Sequence, residues 1–550
     1  MRTYYLCLDN AAADLITKAA LWISPRVKSN LGQIVLGAED EETVFPLSEF
    51  SGSPFSLSGL LVTEDAKIAG TLLRRLNVAF DQIVGFDDLV RYVDGVAAET
   101  TLQGTAARHH LVYRESGDLV ERFRMMRWLS IFYLHQVPPR EVAIISHTEH
   151  LYLDPVIEIN TEALKTAQAE FEEAAREESL PMEQVGATMG RLKRLIGLAA
   201  ENRGRLPVYL NYLGAITGRF SAGGGLNFQG IPRSLPQQHA AIQRVNTAIR
   251  SALQASKGFR FLSADASAME PRIMAWLAND GWMKQVFDHD RSLYDEFGRS
   301  IFNIPLSDPL NEAQHRLAKI MFIGLQYGAS AFRLWKMLQE QLSEEDRDSL
   351  LGPPETQRRC CYRAVQCFRE VCPNLVRIRR EYWNAFIAAR REERTTFERV
   401  TFVPQDDGVA ITLPSGRKVL YNSVTAGATQ LRSFQKITPG GCIEECELEV
   451  RPTTYLGIDG KREPIYEAKL LQNIVQAIGR DLLAEMILRA ESAGIRVVGH
   501  IHDEVVALVK EDDVARAEAI LKSGSLLLPE WATGMSLVTK TAVGQTFEEL

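Results

Sequence analysis

The stretch Phe259-Arg260-Phe261-Leu262-Ser263-Ala264-Asp265-Ala266-Ser267-Ala268-Met269-Glu270-Pro271-Arg272 decides how this chain is read. Its apolar, aromatic first half predicts a buried strand that delivers Asp265 to an exposed end. The chain then turns into a helix from Ala268 to Leu277, with Pro271 tolerable only in the first turn, where no intrahelical N–H is needed. A second carboxylate has a comparable setting far downstream. Ile495-Arg-Val-Val-Gly-His-Ile-His502 and Val505-Val-Ala-Leu-Val509 predict two apolar strands around a tight turn holding His502, Asp503 and Glu504. Taken alone, Asp503 reads as an ordinary turn former. Paired with Asp265 it means more. Two strand ends that each present a carboxylate can hold two Mg²⁺ ions about 3.5–4 Å apart, one activating an attacking hydroxyl and one steadying a leaving pyrophosphate.

Between these segments His315, Lys319, Ile323 and Tyr327 recur every four residues, followed by Gly328, and predict one face of a helix. A lysine so placed reaches a triphosphate, and a tyrosine stacks on a base or closes the pocket. The same spacing also suits an amphipathic helix with a solvated lysine. Two carboxylates, a lysine and divalent metal are what nucleotidyl transfer requires.

The chain has 550 residues, 46% of them hydrophobic, enough for more than one domain. Mean hydropathy is −0.11 and no apolar run reaches the roughly 18 residues that signal a membrane span. The first residues lack the apolar segment of a secretory signal. A net charge of −8 is not the footprint of a wholly basic nucleic-acid binder, yet a local basic groove is enough for phosphate contacts. Cys360, Cys361, Cys367 and Cys372 crowd together without a Cys-x-x-Cys pair or a nearby histidine, so they read as reduced helix cysteines rather than a zinc site. That cysteine usage suits a cytoplasmic protein.

Residues 1 to about 140 mix strand-like runs (33–37, 43–47) with a helix from Leu119 to Tyr133, and Pro138-Pro139 marks a plausible boundary. From about 160 to 200 come charged amphipathic helices, which either project to grip a partner or pack as a bundle. A Gly-rich segment covers 218–230, helices dominate to about 395, strands fill 399–421, and a long helix runs from Ala468 to Ala493.

Asp265-x-Ser-x-x-Glu270-x-Arg272, Lys319-x₇-Tyr327-Gly328 and His502-Asp503-Glu504 resemble, in order, motifs A, B and C of family A (polymerase I-like) DNA polymerases. Thr217-Gly-Arg219-Phe-Ser with Leu226-Asn227-Phe-Gln229-Gly-Ile-Pro-Arg233 resembles the family's thumb-to-palm segment. Leu413-Pro-Ser-Gly-Arg417 resembles a segment common in phage-type members, and Gln472-Asn473-Ile-Val-Gln476-Ala-Ile-Gly-Arg480-Asp481 the palm helix before motif C. The resemblance covers about residues 150–550. It implies an α/β (α+β) right hand: thumb about 160–215, palm about 216–275 and 400–550, fingers about 280–395. Asp265 and Asp503 would be metal ligands with the Ala266 carbonyl, and Glu504 a supporting carboxylate. Lys319 would contact the incoming triphosphate, with His315 or Arg316 beside it, Tyr327 would border the nascent pair, and Glu270 would bar a ribose 2′-hydroxyl. Arg219, Asn227, Gln229, Gln476 and His502 would contact primer–template DNA. The implied cofactor is two Mg²⁺ ions, with Mn²⁺ as a substitute; the implied partners are dNTPs, primer–template and replisome proteins in phage or mobile-element replication, inside the host cell if phage-encoded.

Three departures stand out. His315 replaces the family's usual arginine, which predicts weaker triphosphate binding than a bidentate guanidinium gives unless Arg316 or another cation substitutes. Ile323 stands where many members carry Phe or Tyr. The spacing from Arg219 to Asn227 is one residue longer than usual. In the N-terminal third, Asn77 to Asp81 and Tyr113 with Asp118 faintly resemble proofreading-exonuclease motifs, but Asp9-Asn10-Ala11 lacks the needed glutamate and Asp40-Glu41-Glu42 lies in an acidic turn-like stretch. The expectation is a degenerate 3′→5′ exonuclease-like domain over 1–140. Two other readings are a single-subunit RNA polymerase, which Glu270 and the His-Asp-Glu turn oppose, and a non-catalytic DNA-binding accessory protein.

Overall fold

The computed structural model describes residues 3–8, 33–38, 41–46, 56–75, 78–111, 118–178, 180–233, 238–305, 308–526 and 528–550. The chain forms two compact units: Met1–Ala266 with Leu482–Leu527 and Thr539–Leu550, and Ser267–Asp481 with Leu528–Val538.

In the first unit, a mixed five-stranded sheet runs in the order Glu41–Pro46, Gln33–Ala38, Thr3–Leu8, Ser56–Thr63, Ala79–Gly85. Its strands are apolar toward a core of Leu6, Leu61, Leu72 and Ile83. The expected helix appears as Leu119–Leu134, with Asp118 accepting the N–H groups of Val120 and Glu121 at its start. Pro138-Pro139 falls between two helices: Pro139 opens the helix Pro139–Leu153, where its missing N–H costs nothing. The charged helices are Thr161–Glu177 and Met182–Glu201. Both bury apolar stripes, Leu164 and Phe171 on one and Leu192 and Leu195 on the other, in a core shared with Val245 and Ile249 of the helix Ala240–Ala252. Of the two readings of these helices, packing describes them.

That core continues under a four-stranded antiparallel sheet ordered Arg496–Ile501, Glu504–Lys510, Phe259–Ala266, Thr539–Gly544. The central strands are buried on both faces, which is why they read as unbroken apolar runs. Gly499 is required here: a Cβ would stand 2.6 Å from the Phe228 ring.

The second unit opens with the helix Met269–Ala278 and continues through seven more to Ala389. Asp280, Ser292, Asn311, Ser330 and Ser343 each cap the helix that follows by accepting an N–H from its first turn, which explains where the breaks fall. Four antiparallel strands (Thr395–Phe397, Val400–Gln405, Gly408–Thr412, Lys418–Tyr421) and an exposed ribbon (Gln430–Ile437 with Ile443–Val450) follow. The long helix is Glu467–Ser492. Cys360, Cys361 and Cys367 lie on the helix Pro354–Val371; burial pushes the Cys360 thiol up to about 11 and Cys361 higher still. Among the described residues no helix is long and apolar enough to cross a membrane.

Candidate active site

In the first unit, Asp265 is the penultimate residue of its strand and lies directly opposite Glu504 in the ladder. The adjoining connection, His502-Asp503, is only two residues long, and His502 takes φ +53 to make it. The Ala266 N–H donates to the Asp503 carbonyl at 3.2 Å, which fixes the turn against the strand end. Register, not chance proximity, gathers the three carboxylates.

Cations surround them. Arg219 approaches Asp503 at 3.7 Å and Arg233 approaches Glu504 at 3.9 Å. Burial pushes the Glu504 carboxyl above its ordinary value, and the charge of Asp265 adds to this; a Ser263 hydrogen bond, Arg233 and Arg250 pull the other way. Asp265 still reaches solvent, yet loss of water around its carboxyl raises it too, against Arg233 and Lys540. Asn227 caps the short helix Phe228–Gly230, accepting the Gly230 N–H at 2.9 Å, and Gln229 is half-buried beside it.

In the second unit, His315, Lys319 and Ile323 lie on the helix Glu312–Gln326. Tyr327 does not extend that face: it is the cap residue, because Gly328 at φ +81 ends the helix. From there the Tyr327 hydroxyl donates to Glu270 on the first turn of Met269–Ala278, tying the proposed gate to the proposed pocket wall. Lys319 is exposed, its Nζ 5.7 Å from the Tyr294 ring centre. His315 Nδ1 is hydrogen-bonded to Asp295 at 2.6 Å. Arg316 points elsewhere and donates to the Gln341 carbonyl at 3.0 Å, so it does not take the place of the expected arginine. Gln476 is half-buried on the long helix, four residues before Arg480. A cavity of about 710 Å³ next to Ile323 and Tyr327 is walled by Arg333, Arg379 and Lys469.

Several residues that surround these side chains were not singled out along the sequence. Arg233 closes the segment that begins at Leu226, and its spacing was visible; Arg250, Lys540, Tyr294 and Asp295 carry no local signal, since only the fold brings them in. In the N-terminal third, Asp81 is exposed on its strand and Asp118 serves as a helix cap. Asp9, Asp40, Asn77 and Tyr113 lie outside the described residues.

The donor set suits a hard divalent cation, because carboxylates and a backbone carbonyl are all oxygen ligands. Among the described residues no group of three or more His, Cys, Asp or Glu side chains is placed to hold a metal ion. Mg²⁺ does not need such a group: it is commonly held by one or two carboxylates, with waters and substrate phosphates completing its shell.

Residues 159–348 match the model of DNA polymerase family A. A DNA polymerase of Bacillus phage SP02 is 27% identical over 301 residues, 52% of this chain and 41% of that protein. DNA polymerase I of Pseudomonas aeruginosa is 36% identical over 135 residues, 24% of this chain and 14% of that protein. The matched segments thus span less than half the length of these relatives. A solved structure titled as the polymerase domain of Pol1 from M. smegmatis with DNA primer–template and dNTP superimposes with a TM-score of 0.62 at 16% identity, covering 94% of this chain and 93% of that one. Residues 159–348 are thus similar in sequence to DNA polymerase family A, and nearly the whole chain shares the fold of that solved polymerase domain.

Proposed function

We propose that this chain is a template-directed DNA polymerase that adds dNMPs to a primer 3′-hydroxyl. The observation that carries the reading is the register of the first unit's sheet, which lines up Asp265, Asp503 and Glu504 at one strand end. Asp265 and Asp503 would hold two Mg²⁺ ions, with Mn²⁺ as a substitute, and the bound metal would supply activation of the hydroxyl and neutralisation of the pyrophosphate. Glu504, held by Ser263 and Arg233, supports the aspartates. Lys319 binds triphosphate oxygens and gives a proton to the departing pyrophosphate. Tyr327 holds Glu270 so that its side chain occupies the space of a 2′-hydroxyl. Arg219, Asn227, Gln229, Gln476 and His502 contact the primer–template.

The subdomain reading assigns the thumb to about 160–215, the palm to about 216–275 and 400–550 and the fingers to about 280–395. The N-terminal 140 residues are read as a degenerate exonuclease-like module. Similarity to a phage polymerase supports a role in phage or mobile-element replication, inside the host cell and alongside replisome proteins. The test is primer extension with Mg²⁺ and either dNTPs, rNTPs or no nucleotide. Template-dependent growth with dNTPs and an intact primer without nucleotide are expected. Asp265→Asn and Asp503→Asn should abolish synthesis while primer–template still shifts on a gel. Synthesis by either variant would remove the metal assignment, and primer shortening without nucleotide would remove the degenerate-exonuclease reading.

A further inference from the structure

The first unit carries a second basic feature well away from the carboxylates. A cavity of about 840 Å³ is walled by Arg74, Arg203, Arg205, Arg496 and Tyr152. A neighbouring cavity of about 520 Å³ shares Val156, Arg205 and Arg496 with it and adds Phe259 and Lys510. The shared walls make the two one groove. Arg496 begins the strand whose far end leads into Asp503. The five residue steps of that strand, at roughly 3.3 Å each, put Arg496 about 17 Å from the hairpin turn, so the groove is distinct from the proposed active site.

Five cations line the groove against three carboxylates, Asp154, Glu201 and Asp513. Two of those carboxylates are already engaged: Asp513 pairs with Arg516 at 2.6 Å, and Asp154 with Arg74 and His150 at 2.8 Å each. Arg205 and Arg496 are exposed and donate only to backbone carbonyls, of Pro155 at 3.5 Å and Asp154 at 3.1 Å. Among the described residues neither has a carboxylate within ion-pairing distance. Each guanidinium is held by a backbone carbonyl and not by a direct ion pair, although Glu158 lies opposite Arg205 in the strand ladder and Glu201 shares the cavity wall. Tyr152 stands edge-on to Tyr209, ring centres 5.2 Å apart, which steadies its ring in the groove wall.

We propose that this groove binds a single strand of nucleic acid, with Arg205, Arg496 and Lys510 tracking its phosphates and Tyr152 stacking on a base. Spaced cations combined with aromatic faces are the chemistry of sequence-tolerant single-strand binding. An extended polyanion is favoured over a mononucleotide because the charges are distributed along two connected cavities. The strand would lie at the opposite end of the Arg496–Ile501 strand from the carboxylates, where an unpaired template or displaced strand would be held without occupying the primer terminus.

The test uses the intact chain, first saturated with an unlabelled dideoxy-terminated hairpin primer–template. Fluorescein-labelled dT16 is then titrated in and followed by anisotropy across a salt series. A second, salt-dependent binding event is expected. The Arg205→Ala/Arg496→Ala variant should weaken it at least tenfold and flatten the log–log salt slope by about 1.4, two phosphate contacts at about 0.7 each. Its primer-extension rate should be unchanged, since neither arginine belongs to the proposed catalytic set. No second event, a double variant that binds like wild type, or equal displacement by a 16-residue polyglutamate would overturn the proposal. A separate readout does not depend on polymerase activity: dT16 carrying 5-iodouracil should crosslink to Tyr152. Adducts confined to other segments would overturn it.

Discussion

Replacing Arg417 by methionine tests how the second unit holds its long helix. The Arg417 Nε donates to Asp481 Oδ1 at 2.6 Å and its Nη2 to the Ala477 carbonyl at 2.9 Å, with side-chain exposures of 4% for Arg417 and 0% for Asp481. Ser415 also donates to Asp481, and Arg480 stands 3.3 Å away. Removing one partner of a buried pair costs about 3–5 kcal/mol, because the other charge is left in a dry interior. Arg480 remains to compensate part of that charge, which sets the expectation at about 3 kcal/mol. At about 1.36 kcal/mol per decade this is roughly a 160-fold rise in local opening. Hydrogen exchange of the amides from Ala477 to Asp481 in the intact chain reads it directly. Adding Asp481→Leu removes the orphaned carboxylate but also takes a partner from the buried Arg480 guanidinium, so only part of the loss should be recovered. A loss of protection below about tenfold, or strict additivity in the double variant, would refute the argument.

Three further outcomes are expected. Tyr327→Phe removes a hydrogen bond to the Glu270 carboxylate worth about 1.5–3 kcal/mol, so the gate should loosen and ribonucleotide incorporation rise about tenfold or more; unchanged sugar selectivity would separate Tyr327 from Glu270. His315→Arg should lower the KM for dNTP by restoring a guanidinium beside Lys319, and a constant KM would mean that the Asp295-bound imidazole already does that job. Asp88→Asn should raise the melting temperature at pH 8 and give no gain at pH 4. Burial, then the charges of Asp87 and Glu149, push the Asp88 carboxyl well above its ordinary 3.8, against Lys67 and Arg91. A carboxyl raised in the folded state contributes its full stability in acid and loses it as pH rises through the folded value, so the neutral amide gains only on the alkaline side. Equal melting shifts at both pH values would contradict that sign.

Much of the site was legible along the chain because its cues are local. Apolar runs ending in Asp265 and in His502-Asp503 predicted a strand end and a hairpin tip, and both are found there. The four-residue spacing from His315 predicted the helix but ran one step too far, because Gly328 takes a positive φ and makes Tyr327 a cap. Pro138-Pro139 marks the break between two helices, because proline ends a preceding element and also starts a helix. Amphipathic periodicity predicted the helices Thr161–Glu177 and Met182–Glu201 without saying whether they stand free or pack, since periodicity marks an apolar stripe and not what covers it.

Element types, and the candidate carboxylates, lysine and tyrosine, are readable along the chain, because each is encoded in spacing of a few residues. The pairings come from the folded chain. It set Glu504 opposite Asp265, joined Arg417 to Asp481 across 64 residues, seated His315 on Asp295 rather than leaving it open, and gathered Arg205 and Arg496 into one groove. Those contacts depend on strand register and on which faces are buried together, properties of the folded chain as a whole that no local pattern of residue types encodes.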